Sequence, residues 1–266
     1  MPWFKVNRSM SYIRFQQKRP DRGRLWLRGM ALLLLTALLF GVGGQRPVAA
    51  AGKSLSNAKG KTLAQLVYDR PDGSDSSAEV IMTLGRKGEK QRQRLLYSYA
   101  KDKGKGERWT LMRFIKPADI RGTGLLTKDH PGDNNDQWLY LPALDRVRRI
   151  SSSRKGGRFV GSDFFYEDLR DREVDMDHHR YIGRGKVGKI VCDVVVSTPV
   201  KRSNSAYSKR VSWIHRKTLI PLRVDFYQKG RKRPTKRLRA RKIKKIQGYW
   251  TVMESTMYDL KSGHRT

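Results

Sequence analysis

The sequence predicts a mainly β protein: an antiparallel meander that curls into a barrel, with short helices as its lid. Three observations carry this. Alternating or β-branched apolar segments recur along most of the chain, Gly-containing turns separate them, and a stretch with helical spacing stands ahead of the first strand.

Thr62–Tyr68 puts Leu63, Leu66 and Val67 on one helical face, and Pro71-Asp72-Gly73-Ser74 ends it. So short a helix needs a surface to cover. From Glu79 the period changes. Val80–Leu84 is followed by the turn 85–88 and then by Arg92–Tyr99, where Leu95, Tyr97 and Tyr99 share a face. After the turn Lys101–Gly106, Arg108–Lys116 alternates Trp109, Leu111, Arg113 and Ile115 against Thr110, Met112 and Phe114. Both faces of that strand are apolar, so both should be covered. Short Gly loops between such strands indicate hairpins.

Lys116–Gly124 reads as an irregular crossing and His130–Asp136 as an open loop. Gln137–Leu141 and Arg146–Ser152 pair around Pro142, and Ile190–Thr198, Lys209–His215, Leu219–Gln228 and Gly248–Leu260 follow. A second helical piece falls near Asp163–Asp171. Roughly nine to eleven strands cannot lie open without leaving adhesive edges, so the sheet must curl or close. A barrel short of core side chains keeps a hollow. Its expected lining is Leu95, Tyr97, Trp109, Leu111, Trp138, Tyr140, Trp213, Phe226 and Trp250, which suits an apolar ligand.

In 266 residues, 58 Lys+Arg stand against 24 Asp+Glu, a formal charge of +34. Such a surface favours anionic partners, although a basic proteome would give the same balance. Arg22, Arg24 and Arg28 precede the apolar run Met30–Phe40, and small residues follow up to Ala51. This is the pattern of a secretory signal peptide over residues 1–50, cleaved near Ala50 or Ala51, with residues 51–266 as a single domain. The run is shorter than the about 20 residues that span a bilayer. An uncleaved anchor is the alternative, and Met10 and Met30 are alternative starts.

The lone Cys192 can form no internal disulfide and reads as core. Neither a Gly-x-Ser-x-Gly turn nor an identifiable Cys–His pair points to hydrolysis, so no enzyme and no cofactor is expected. Asp175-Met176-Asp177-His178-His179 has metal-ligand types, but neighbours on a strand point oppositely. It reads as an exposed charged turn, not a metal site. Lys229–Lys245 contains no acid. It fits either a basic rim facing an anionic membrane, through Lys229, Arg231, Lys232, Arg233, Lys236 and Arg237, or a merely solvated hairpin. Nucleic acid is disfavoured because export removes the opportunity and no base-reading module is present.

Three motifs in order, PADIRGTGLL (117–126), QWLYLPALDRVRRI (137–150) and GSDFFYEDL (161–169), resemble the outer-membrane lipoprotein-sorting, LolA-like family, with likeness from about Leu63 onward. The resemblance implies a half-open antiparallel β-barrel with helices as a lid. It also implies a periplasmic setting and a cargo of lipoprotein acyl chains or another lipid, beside an inner-membrane transporter of the resistance-nodulation-division type. The rival is an accessory protein that docks to such a transporter and binds no lipid. A monomer is expected. Family-like positions are Trp138, Leu139, Tyr140, Pro142, Arg146, Arg149, Gly161, Ser162, Asp163, Phe164, Tyr166, Glu167 and Asp168, none of them catalytic by resemblance. From the residues themselves, Arg146 or Arg149 should pair with Asp163 or Glu167 and fix the loop to the barrel rim, or else the cluster docks a partner.

Overall fold

A computed structural model describes residues 13–16, 48–104, 106–132, 136–151 and 154–266. The apolar run Met30–Phe40 lies outside them. Helix α1 runs Val48–Tyr68, longer than the Thr62–Tyr68 face that the apolar spacing picks out. The first sheet is built from β1 (Ile13–Gln16), β2 (Asp75–Leu84), β3 (Arg92–Gly104), β4 (Glu107–Lys116), β5 (Gly124–Asp129), β6 (Asp136–Leu141) and β7 (Arg146–Arg149). The second contains β8 (Asp177–Val187), β9 (Ile190–Pro199), β10 (Tyr207–His215), β11 (Pro221–Gln228), β12 (Lys236–Ile246) and β13 (Tyr249–Asp259). Every pairing is antiparallel, and within each sheet the spatial order follows the chain order.

The sheets do not close on one another, so the product is the half-open barrel that the sequence predicts. A crossing segment, described over residues 150–151 and 154–176, carries the chain from β7 to β8 and fills the interior with 3₁₀ turns at Phe159–Gly161, Tyr166–Leu169 and Val174–Met176. The expected helix near Asp163–Asp171 is the second of these. Phe159 packs on Phe114, with ring centroids 5.6 Å apart, and joins a core with Leu96 and Leu125. Against the second sheet, Phe165 stacks on Tyr207 at 5.6 Å, beside Val224, Phe226 and Met257. Cys192 is fully buried with Ile220 and Leu222.

Four strands are not legible as strands: β1 falls inside the stretch read as a signal peptide, and β5, β8 and β12 are the others. β5 follows a turn whose Gly122 has φ +83°, and β8 begins inside the supposed exposed turn. β12 occupies the basic run, where a bulge at Ala240/Lys242 breaks the alternation. Leu219, expected to open a strand, instead sits in a turn at φ +56°.

α1 lies on β8, and its buried Gly60 makes the approach possible. A Cβ there would stand 2.7 Å from the Tyr181 nitrogen. The Lys59 ammonium caps the Tyr181 ring at 3.8 Å. Among the described residues, no helix is long and apolar enough to cross a membrane.

Candidate ligand cavities

Between β13 and the part of β2 beyond its pairing with β1 opens a cavity of about 760 Å³. Val80 and Met82 of β2, Leu96 of β3 and Met112 of β4 line one wall, Val252 and Met253 of β13 the other, and Phe159, Phe164 and Leu169 of the crossing segment the floor. The inward parity of the first sheet is set by fully buried Leu96, Phe114 and Leu125. One end of the seam is sewn shut by the last two residues. Arg265 exchanges backbone hydrogen bonds with Gly85 at 3.1 and 3.0 Å, and Thr266 does so with Met257 at 2.8 and 2.9 Å.

The floor is held by buried carboxylates. Asp163, 1% exposed, accepts from Arg158 at 3.0 Å and from the Thr266 hydroxyl at 2.7 Å, and lies 2.6 Å from His264. Glu167 accepts from the Ala206 N–H at 2.7 Å and from the Ser205 hydroxyl, with Arg210 at 3.6 Å. Asp168 accepts from the Phe165 N–H at 2.7 Å, from the Tyr207 hydroxyl at 2.8 Å and from Lys236 at 2.8 Å. The Lys236 ammonium sits 3.5 Å over the Phe165 ring. Burial pushes the Lys236 ammonium below its usual range, against the opposing pull of Asp168, and pushes the Tyr207 phenol well above its own. These bonds compensate the desolvation that would otherwise expel such groups.

A second cavity, about 610 Å³, lies beneath α1 and is polar. Ala64, Val67 and Tyr68 roof it, Asp102, Arg108 and Asp129 come from the first sheet, and Asp177, His179 and Arg210 from the second. Asp177 belongs to the motif read as an exposed turn. It is buried because Arg172, at 3.0 Å, and Arg210 both bind it. His179 points the same way and lies 2.8 Å from the Val174 carbonyl and 2.9 Å from the Ser197 hydroxyl. No group of three or more His, Cys, Asp or Glu among the described residues could hold a metal.

The expected lining residues do not border the cavity between β2 and β13; Trp109 and Leu111 instead line, with Tyr99 and Leu126, an open hollow of about 430 Å³ on the other face of the first sheet. Leu95, Tyr97, Trp109, Leu111, Trp138 and Tyr140 have the opposite parity to Leu96 and Leu125, and form rows on the outer face. One such row runs Tyr99, Leu111, Leu126, Trp138 across β3 to β6. Lys128 caps Trp109 there at 3.9 Å. Trp213 stacks under the Arg223 guanidinium at 4.1 Å, Phe226 is core, and Trp250 is 41% exposed while its carbonyl accepts from Arg70. Alternation gives two candidate faces. Here both are apolar, so alternation alone does not distinguish the inner face of the first sheet from the outer. Met82 and Met112 share that ambiguity of parity, whereas Phe159 lies in a 3₁₀ turn of the crossing segment, where alternation gives no signal.

The expected pairing of Arg146 or Arg149 with Asp163 or Glu167 is also corrected. Arg149 binds Asp136 at 3.0 Å, one strand away, and Arg146 is exposed on the edge strand β7. Arg158, His264, Ser205 and Arg210 take the roles expected of them. The motif residues Gly161, Ser162, Phe164 and Tyr166 do lie in the crossing segment, with Ser162 buried and Gly161 at φ +70°. Of the basic rim, Lys229, Arg231, Lys232 and Arg233 are exposed at the β11–β12 turn. Lys236 is buried, and Arg237 binds Asp225 at 2.6 Å, so neither faces outward freely. Burial opposes ionisation of Asp225, yet the bonds from Arg237 and Arg223 outweigh it and hold its carboxyl below the usual range.

No curated protein matches the chain. A family model described only as that of an uncharacterised protein matches residues 106–266. Among solved structures, a DUF1329 family protein from Desulfovibrio piger is 33% identical, with 79% of this chain and 89% of that chain aligned at a TM-score of 0.74. A domain from Vibrio parahaemolyticus, described as an outer membrane lipoprotein-sorting protein domain, is 32% identical over 79% of this chain and 88% of that one, also at 0.74. A LolA superfamily protein from Nitrosomonas europaea shares the fold at 20% identity and a TM-score of 0.61, over 77% of this chain and 88% of that one. With the identity, the coverage and the half-open barrel in agreement, the chain belongs to the DUF1329 family and has the fold of the LolA superfamily.

Proposed function

We propose that the protein is a periplasmic carrier that shelters the acyl chains of a lipoprotein or another lipid in the cavity between β2 and β13 and passes them toward the outer membrane. The observation that carries this reading is the cavity itself. At about 760 Å³, with Met82, Leu96, Met112, Phe159 and Val252 on its walls, it falls in the range of about 300–1,000 Å³ common to small-ligand sites. The likeness to a domain described as sorting outer membrane lipoproteins supports the same cargo class. The reading asks for no bond-making. Each buried methylene contributes about 0.8 kcal/mol, so about ten of them give about 8 kcal/mol before the ordering cost of binding. Delivery from an inner-membrane transporter of the resistance-nodulation-division type is part of the proposal, as is export by a cleaved leader over residues 1–50.

The test is extraction of the protein, purified from its native periplasm, for lipid mass spectrometry, with uptake of a fluorescent fatty acid in parallel. A co-purifying lipid is expected, and Met112→Trp, which fills the cavity, should cut uptake without lowering Tm. Clean extracts and no uptake would favour a second reading, an accessory protein that docks to an envelope transporter. That reading draws on the outer face of the first sheet, where Tyr99, Leu111, Tyr140 and Val147 stay exposed.

A further inference from the structure

The cavity beneath α1 runs against the charge of the whole chain. In a protein of formal charge +34, its described lining holds seven carboxylates (Asp72, Asp102, Glu107, Asp129, Asp171, Glu173 and Asp177) and four guanidinia (Arg70, Arg108, Arg172 and Arg210). The guanidinia are already engaged. Arg172 and Arg210 bind Asp177, Arg108 binds Asp102 at 2.6 Å and lies 3.4 Å from Asp72, and Arg70 donates to the Trp250 carbonyl at 2.7 Å. Glu173 accepts from the Tyr68 hydroxyl at 3.3 Å.

Asp129 is different. It is 6% exposed; its Oδ2 accepts the Asp171 N–H at 3.2 Å, and its Oδ1, buried, has no hydrogen-bond partner among the described residues. An acceptor left bare inside a protein costs about 1–3 kcal/mol, more when it is charged. A donor supplied from outside would recover that cost. The walls around it are part apolar, through Ala64, Val67, Val174, Val195 and Ile214.

We infer that this cavity is a second binding site, for a ligand bearing a protonated primary amine on an apolar stem, with Asp129 as the acceptor of its ammonium. An ammonium offers three donors, enough for the Asp129 Oδ1 together with a neighbouring acceptor on the same wall. A carboxylate or phosphate ligand with no amine would meet the surplus of acids and be repelled. Asp171 strengthens the cation's field, whereas Arg170, whose buried Nε also has no hydrogen-bond partner among the described residues, and Arg108 oppose it. Tyr68 closes the site from α1, and on the second sheet Asp177 is neutralised by its two guanidinia while His179 is held by Val174 and Ser197. Burial, with Asp171 adding to it, pushes the Asp129 carboxyl up to about 7. Binding a cation therefore drives a proton off it, and the ligand binds more tightly as pH rises toward 8.

The test is calorimetric titration of the purified protein with n-octylamine, and with n-octanol as the neutral control, at pH 6 in two buffers of different ionisation heat. The expected result is octylamine binding at least tenfold tighter than octanol binding, with net proton release, and a tenfold or greater loss in Asp129→Asn, whose Tm is not lowered. Equal binding of the two probes, absence of proton release, or an unaffected Asp129→Asn each overturns the site. The wild-type proton balance needs no variant, so a misfolded substitution does not spoil the test. Phosphoethanolamine and a lysine-containing tripeptide then separate a lipid headgroup from a peptide as the source of the amine; binding of neither overturns a biological amine site. Fatty-acid uptake into the cavity between β2 and β13, measured on the same samples, succeeds or fails independently of these outcomes.

Discussion

The His264 ring stands 2.6 Å from the Asp163 carboxylate, 101 residues away in the chain, and ties the crossing segment to the residues that close the seam. Arg158 and Thr266 bind the same carboxylate, which is fully enclosed. Asp163→Ala leaves the Thr266 hydroxyl and the His264 ring without their common acceptor, whereas Arg158, 44% exposed, keeps Asp259. A buried polar group left unpaired costs about 1–3 kcal/mol. Asp163→Asn keeps an acceptor and should lose markedly less. Equilibrium urea unfolding measures both, and a loss below about 1 kcal/mol for the alanine variant would mean that the latch is incidental.

Lys236 and Asp168 form the matching tie on the other side of the floor, 2.8 Å apart and each nearly inaccessible. Lys236→Met leaves the Asp168 carboxylate with the Tyr207 hydroxyl and the Phe165 N–H but no countercharge. A destabilisation of about 3 kcal/mol is expected. Adding Asp168→Asn removes the stranded charge, so the double variant should be less impaired than the single losses sum to, by about 1 kcal/mol or more. Strict additivity in the thermodynamic cycle would rule the coupling out.

Gly60 decides how α1 docks. In a free helix Ala would be preferred there by about 1 kcal/mol. Here the new Cβ would meet the backbone of β8, 2.7 Å from the Tyr181 nitrogen and 2.8 Å from the Arg180 Cα, and a strand held on its other side cannot retreat cheaply. The overpacking term of about 1–3 kcal/mol should win. Gly60→Ala is expected to lower stability by about 1 kcal/mol and to speed hydrogen exchange along α1 more than in the sheets. Faster exchange spread evenly over the whole chain would argue against a local docking contact.

What the sequence made legible, and what it did not, follows from these contacts. Hairpins such as β3–β4 were readable because turn chemistry and alternation are local, and the lipoprotein-sorting motifs were readable because their residue order is distinctive. The inward face of β3 was not. Leu95 and Leu96 are adjacent, both apolar, and the register shift between them against β4 removes the parity that could have chosen. The ion pairs failed for another reason. Arg149 stands only 13 positions from Asp136, whereas Asp163 finds its partners partly at the far end of the chain, and only the three-dimensional path of the crossing segment sets that choice. The acid-lined cavity was invisible because Asp72, Asp129 and Asp171 are scattered in a strongly basic sequence.

Asp129 gives stability a pH dependence whose sign can be worked out. Its carboxyl titrates near about 7 in the folded protein against 3.8 as the ordinary value, with burial the main cause. Between those limits the native state holds a proton that the unfolded chain has released, so this group's contribution to stability is full at acid pH and is lost as pH rises toward 7. At about 1.4 kcal/mol per pH unit of displacement, the whole effect reaches about 4 kcal/mol. Asp225 and Asp259, held below the usual range, act in the opposite sense, and their contribution is lost only as pH falls through that lower range. Comparison with Asp129→Asn cancels those terms. The amide still accepts the Asp171 N–H, so the variant should be more stable than wild type at pH 8, with the difference shrinking by most of its size at pH 5. Urea unfolding at the two pH values measures it, and a pH-independent difference would mean that the Asp129 carboxylate is solvated after all.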